Sequence, residues 1–142
     1  KHHGSLQAAV MATNSEVIEK SLRLIGVLQE GETPSAEQGA DALETMNDLF
    51  MEWDADGIDI GYFAQTDLTA DSPIYSDTMQ AAKYNFAMAL AGEYRIEPPS
   101  TVIIIASKGY NRLLRDSING QMKEAEMDHL PGVPSRSNIL EG

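Results

Sequence analysis

The chain has 142 residues, 42% of them hydrophobic, which suits one domain with its own core. Its 22 acidic residues outnumber 10 basic ones, and the formal net charge of −12 argues against nucleic-acid binding through phosphate contacts. Without cysteine the chain has no disulfide, thiol chemistry or cysteine-ligated zinc. No apolar run approaches the roughly 20 residues of a membrane span, which argues against membrane partners.

The first residues carry two adjacent histidines followed by Gly-Ser, which is typical of an affinity-tag and linker remnant. We therefore interpret residues 1–10 as such a remnant and place the native start at Met11. The third histidine, His129, has no neighbours at metal-ligand spacing, so no metal site is predicted.

The first helix is predicted to begin between Thr13 and Ser15, where Thr13 and Glu16 can form a capping box. Apolar residues recur on one face of this segment as far as Leu28. Gly26 is disfavoured inside a helix, and we interpret it as permitting close approach by a neighbouring element. The short polar connection that follows favours antiparallel packing against the next helix.

The second helix is predicted from Ser35 to Trp53, with a capping box between Ser35 and Gln38. Its core face follows the helical period, with these members: Ala36, Ala40, Leu43, Met46, Phe50 and Trp53. Acidic residues occupy its outer faces, and Gly57 is placed to provide a left-handed cap.

Residues 58–75 change pattern, because the first of them alternate between apolar and polar while Pro73 marks a turn. We interpret this segment as an irregular or β-hairpin excursion that is able to reach a neighbouring subunit.

The third helix is predicted from Ser76 to Tyr94 and the fourth from Thr101 to Asn119, separated by Pro98 and Pro99. The fourth opens with four consecutive β-branched residues that point all round the helix and are therefore candidates for subunit contacts: Val102, Ile103, Ile104 and Ile105. The inward face is predicted to continue through Tyr110, Leu113, Leu114 and Ile118.

Residues 121–142 are polar and carry apolar residues spaced too widely to form a core. Such a segment suits either an extended tail that orders on a partner or a disordered terminus. The candidate docking residues are Leu130, Val133, Ile139 and Leu140. The elements together predict an all-α fold: a four-helix compact domain over residues 11–120, with the excursion between helices two and three, and an extended C-terminal tail.

No motif points to an enzyme. Residues 54–59 superficially resemble a calcium loop, but the glycine comes too early and Gln65 stands where a bidentate glutamate is required. The many carboxylates lie on predicted solvent faces, and no nucleophile elbow, phosphate-binding loop or dinucleotide fingerprint occurs. We therefore predict no catalytic residue and no cofactor.

The ordered series of segments resembles the head-to-tail connector proteins of phages, above all the tail accessory factors of short-tailed phages. The segments that carry the resemblance are residues 15–28, 31–35, 42–53, Gly57-Ile58, Tyr84–Ala91, Glu93-Tyr94, Pro98-Pro99 and 137–142. The resemblance spans about residues 11–142, and it rests on the series because no segment is a catalytic signature.

The resemblance implies a mainly α-helical subunit that assembles as a dodecameric ring beneath the portal protein. Such a ring extends the DNA channel, closes the packaged head and offers a platform for other tail and plug proteins, with the tail of each subunit docked along the portal. DNA would pass without specific binding, and the protein would reside at the head–tail junction of the virion after assembly in the host cytoplasm. The alternatives are a cell-wall (peptidoglycan) hydrolase that uses surface carboxylates and a helical adaptor with no phage role.

Overall fold

The computed structural model describes residues 11–128, and these residues form four α-helices and no β-strand. The helices are α1 (Asn14–Leu24), α2 (Ala36–Ala55), α3 (Met79–Tyr94) and α4 (Ser100–Asp128). The predicted all-α class is therefore confirmed. No helix among the described residues is both long enough and apolar enough to cross a membrane.

Both predicted capping boxes are present. The Thr13 hydroxyl accepts from the Glu16 amide at 3.1 Å, and the Thr13 amide donates to the Glu16 carboxylate at 2.8 Å. The Ser35 hydroxyl accepts from the Gln38 amide at 3.1 Å, and the Ser35 amide donates to the Gln38 side chain at 2.9 Å. Each box satisfies amide groups that a helix start leaves without an intrahelical partner, so α1 and α2 begin where these local signals place them.

The third helix is the centre of the domain, because it packs against each of the other three helices. Its buried residues are mostly small: Ala81, Ala82, Phe86, Ala87, Leu90 and Ala91. Small side chains on several faces let neighbouring backbones come near, which suits a helix with neighbours on more than one side.

The closest such approach joins α3 to α4 at Gly109. A Cβ atom added there would lie 2.6 Å from the Cβ of Ala81 and 2.9 Å from its Cα. These distances are far below ordinary carbon–carbon contact, so the two helices fit together at this point only because position 109 lacks a side chain.

An aromatic cluster joins α2 to the rest of the core. The Phe50 ring centroid lies 5.2 Å from those of Trp53 and Tyr62 and 6.2 Å from that of Phe86. Trp53 in turn contacts Tyr110 on α4, with 5.6 Å between ring centroids. Phe50 is only 1% exposed, so this one residue connects α2, α3 and the segment between them.

The segment between α2 and α3 forms no hairpin. Ile58, Ile60 and Tyr62 are buried, while Asp59 and Phe63 are exposed, so the alternation reflects packing of an extended segment on the helices. Among the described residues, β-pairing is limited to an isolated antiparallel bridge between Thr13 and Asp71. The segment is therefore an irregular excursion, which was one of the two predicted alternatives.

Two details of the predicted helices are wrong, and a third is as expected. Gly26 lies after the end of α1 with φ of 81° and nothing within 4 Å of an added Cβ, so it provides a left-handed turn instead of a close contact. On α2, Ala36 and Ala40 are exposed while Gly39 and Ala42 face inward. Gly57 has φ of 90°, as expected of the predicted left-handed cap.

The fourth helix does not end at Asn119 but continues through Gly120 to Asp128. Residues 121–128 are therefore helical instead of extended, and the rest of the predicted tail lies outside the described residues. A single exposed glycine costs a helix only about 1 kcal/mol, which the surrounding residues of a long helix offset.

Phe50→Ala is expected to lower the free energy of unfolding by about 3–5 kcal/mol, because it empties the centre of the aromatic cluster. Met51→Ala is the matched control on the next residue, where the side chain is 40% exposed and the expected change is about 0.5 kcal/mol or less. Urea denaturation followed by far-UV circular dichroism measures both, and equal losses for the two variants would contradict the assigned core.

The two glycines within α4 are expected to respond to alanine in opposite directions. Gly120→Ala has nothing within 4 Å of the new Cβ and should raise stability by about 1 kcal/mol through helix propensity. Gly109→Ala should lower it by about 1–3 kcal/mol, because the new methyl group overlaps Ala81 on α3. Thermal unfolding of both variants tests this, and a stabilised Gly109→Ala would show that α3 and α4 are not in close contact there.

Candidate docking surfaces

The four β-branched residues at the start of α4 divide between core and surface. Val102 is 3% exposed and belongs to the chain's own core, Ile103 and Ile105 are half-buried, and Ile104 is 52% exposed. The division follows from helix geometry, because consecutive side chains are rotated by about 100° around the helix axis. The subunit-contact role stays a prediction, and within this set Ile104 offers the most surface.

Two further apolar residues share the side of α4 that carries Ile104. Ile118 is 46% exposed and Met122 is 64% exposed, and their spacings from Ile104 are close to whole numbers of helical turns. The predicted inward position of Ile118 is therefore wrong. The exposed positions on this side between residues 104 and 122 are called the α4 stripe here: Ile104, Lys108, Asn111, Arg115, Ile118 and Met122.

The α4 stripe is basic, although the chain is strongly acidic. Lys108 and Arg115 lie within it and Arg112 lies at its edge, and all three are exposed. The acidic residues Asp116 and Glu124 lie on other sides of the helix. Positive charge and apolar surface are thus combined on one face of α4.

Helix α2 presents the opposite charge. Its outer face carries a carboxylate every three or four residues, and the helix contains no lysine or arginine. These exposed carboxylates are called the α2 stripe here: Glu37, Asp41, Glu44, Asp48 and Glu52. Exposed Met51 lies beside the stripe, so this face also offers some apolar surface.

A buried polar network fastens the excursion to α1 and α2. The Asn47 side chain accepts from the Gln65 amide and donates to the Gln65 carbonyl, both at 2.9 Å, and it also accepts from the Tyr62 hydroxyl. Asn14, which is fully buried, donates to the Gln65 side chain at 2.9 Å and to the Asp67 carbonyl at 3.0 Å. The excursion is therefore held against the helices along much of its length.

Two aromatic residues of the excursion nevertheless project outward. Phe63 is 63% exposed and Tyr75 is 51% exposed. Because the neighbouring residues are fixed by the network and the core, Phe63 is presented at a set position on the surface. Sequence reasoning placed an intersubunit arm in this segment without singling out Phe63, although its outward place follows from the alternation with Ile58, Ile60 and Tyr62.

Two clefts adjoin α4. One, of about 440 Å³, lies beside Ser76, Asp77, Lys108 and Arg112, and the Arg112 guanidinium donates to the Asp77 carbonyl at 3.1 Å across it. The other, of about 520 Å³, has an acidic lining with these carboxylates: Asp59, Asp77, Asp116 and Glu124. Within residues 11–128 no group of three or more histidine, aspartate or glutamate side chains is placed to hold a metal ion.

The predicted portal-docking residues are Leu130, Val133, Ile139 and Leu140, and all four lie outside the described residues. Their role stays a prediction. In sequence they lie C-terminal to the described part of the helix that carries the α4 stripe.

A family model described as P22 tail accessory factor matches residues 8–134. The match includes all four helices, the excursion and both charged stripes. A comparison with curated proteins finds no match.

Tyr62 makes the buried network sensitive to alkaline pH, because burial raises the pKa of its hydroxyl above the ordinary value. The unfolded chain, with a tyrosine pKa of about 10, loses this proton first. The contribution of Tyr62 to stability is therefore complete below about pH 10 and falls as the pH rises beyond it.

Tyr62→Phe should accordingly be less stable than the parent at neutral pH, by about 1 kcal/mol for the lost hydrogen bond to Asn47. The difference should shrink as the pH rises above about 10, because the variant has no hydroxyl to ionise there. Urea denaturation of both proteins across this pH range measures the difference, and a constant difference would contradict the burial of the hydroxyl.

Proposed function

The chain belongs to the P22 tail accessory factor family, and from this premise we propose that it is a structural head–tail connector subunit that assembles as a ring under the portal protein. The ring extends the DNA channel and stabilises the packaged DNA by closing the head. The observation that carries the proposal is the family match, which spans residues 8–134.

The proposed ring is a dodecamer held by contacts between copies. Exposed apolar surface supports this part of the proposal, because Ile104, Ile118 and Met122 form a row on α4 that no other part of residues 11–128 covers. Rows of large apolar side chains flanked by polar groups are typical of protein–protein contacts. The half-buried Ile103 and Ile105 lie at the edges of this contact, whereas Val102 serves the core of its own subunit.

DNA passes through the proposed channel without specific binding. A net charge of −12 supports this, because a surface that neutralises few phosphates releases few counterions and holds DNA weakly. The exposed Lys108, Arg112 and Arg115 of α4 lie between exposed isoleucine and methionine side chains, which fits contact with protein better than contact with a phosphate backbone.

The C-terminal residues after α4 are proposed to dock along the portal through Leu130, Val133, Ile139 and Leu140. Anchors spaced by several residues suit an extended segment that orders on a partner's surface. Other tail and plug proteins then assemble on the opposite end of the ring. The proposed location is the head–tail junction of the virion, reached from the host cytoplasm during assembly.

Light scattering of the purified portal protein of the same phage, with and without this chain, tests the connector function. We expect the portal complex to gain the mass of twelve copies of the 15.5 kDa chain. A variant with Leu130, Val133, Ile139 and Leu140 all changed to Ala should keep the helical signal of the parent and lose portal binding. Its matched control changes Ser135, Arg136, Ser137 and Asn138 to Ala and should still bind.

The hydrolase alternative is tested on the same preparations with purified peptidoglycan as substrate. Absence of portal association, together with peptidoglycan cleavage that is lost on Asp116→Asn or Glu124→Gln in the acidic cleft, would replace the connector proposal with the enzyme.

A further inference from the structure

We propose that the α4 stripe of one copy docks against the α2 stripe of the next copy, so that each subunit uses two different faces for its two neighbours. This inference rests on the proposed self-assembly and identifies the surfaces that perform it. It assigns Lys108 and Arg115 to one side of the contact and Glu44 and Asp48 to the other.

Charge complementarity is the first argument. The α2 stripe is a row of carboxylates on a helix without any lysine or arginine, and the α4 stripe combines Lys108 and Arg115 with no acidic residue. In a chain with a net charge of −12, a second acidic surface would repel the α2 stripe, and the α4 stripe is a face that attracts it.

The dimensions of the two stripes also agree. Residues 37–52 span about 22 Å of helix and residues 104–122 span about 27 Å, at 1.5 Å per residue. Two straight rows of similar length can lie side by side along most of their extent. Side chains at helical spacing on each then meet the other in several successive turns.

Apolar surface supplies the affinity that exposed ion pairs lack. Isolated surface ion pairs contribute little, since water and salt screen them. On α4 the two cations lie between Ile104 at one end of the stripe and Ile118 and Met122 at the other, and on α2 the exposed Met51 adjoins the carboxylates. Burying these side chains removes water from the contact, and the charges then select the partner face and its orientation.

The arrangement within one chain makes the contact head-to-tail. Helices α2 and α4 both pack against α3, and each stripe lies on the side of its helix that faces solvent. A symmetric dimer through either stripe would bring like charges together. A repeated contact between two different faces generates a ring when the rotation closes, which is the symmetry that the connector proposal requires.

Zero-length carbodiimide cross-linking tests the contact, because this reagent joins a lysine to a carboxylate only when the two touch. Equal amounts of ¹⁴N-labelled and ¹⁵N-labelled chain are cross-linked, both alone at high concentration and on the portal, and the peptides are identified by mass spectrometry. We expect mixed-isotope peptides that join Lys108 to the α2 stripe, with exposed Lys20 as the internal control. The yield should fall when ionic strength rises from about 0.05 M to about 0.5 M, where screening is stronger.

Charge reversal provides the second test. The variant Lys108→Glu/Arg115→Glu makes both stripes acidic, and the variant Asp41→Lys/Glu44→Lys/Asp48→Lys makes both basic. Each should lose the cross-linked oligomers when alone, and a mixture of the two should recover them as alternating copies. The control Lys20→Glu/Lys123→Glu has the same charge change as the first variant, outside the stripe, and should assemble like the parent.

The possible results separate this inference from the connector function. If the portal acquires a full ring of either reversal variant alone, the connector function stands and the docking of α2 on α4 is wrong. If cross-links join Lys108 of one copy to the α2 stripe of another but no sample binds the portal, the docking stands and the connector function is wrong. Absence of Lys108-to-α2 peptides in both samples, or no recovery on mixing, overturns the docking.

Discussion

The close approach of α3 and α4 at Ala81 and Gly109 determines which residues of α4 face the core and which face solvent. Once Gly109 is pressed against α3, Val102, Ala106 and Leu113 are turned inward, and the side with Ile104, Arg115 and Met122 is turned outward. A helix rotated differently would bury charge and expose core residues. The candidate docking face of this molecule is therefore a consequence of a glycine on the opposite side of the same helix.

Local signals predict this fold well where the determinant is itself local. The starts of α1 and α2 depend on hydrogen bonds between residues three apart, and the sequences at Thr13 and Ser35 contain everything that these bonds need. The errors arise where the determinant lies elsewhere in the chain. The alternation at residues 58–62 records burial of one side of an extended segment, which happens equally against helices or in a sheet. The position of Ile118 in the sequence is compatible with either the buried or the exposed face of α4. Only the packing of α4 on α3 assigns it to solvent.

The candidate surfaces were predictable to a smaller degree than the fold. The excess of β-branched residues at 102–105 points to the start of α4 as a contact surface. In the structure, however, Val102 is buried in the core, and the row of exposed apolar residues continues through Ile118 and Met122. A net charge is a single sum, so it conceals the separation of a purely acidic α2 from a basic face on α4. That separation becomes visible once the helix bounds show which charged residues share a side. For an assembling protein, the distribution of charge over faces carries more information than its total.

The network around Asn14, Asn47 and Gln65 also bears on the order in which the chain acquires its structure. The Asn14–Gln65 hydrogen bond joins residues 51 apart in sequence, whereas Asn47 bonds to Gln65 over a separation of 18 residues and to Tyr62 over 15. Contacts between distant residues require closure of a long loop and form readily only after nearer elements have reduced the entropy to be lost. We therefore expect the excursion to fold against α2 early and α1 to join it last. Every partner in this final step belongs to the same chain, so the network itself needs no neighbouring subunit in order to form.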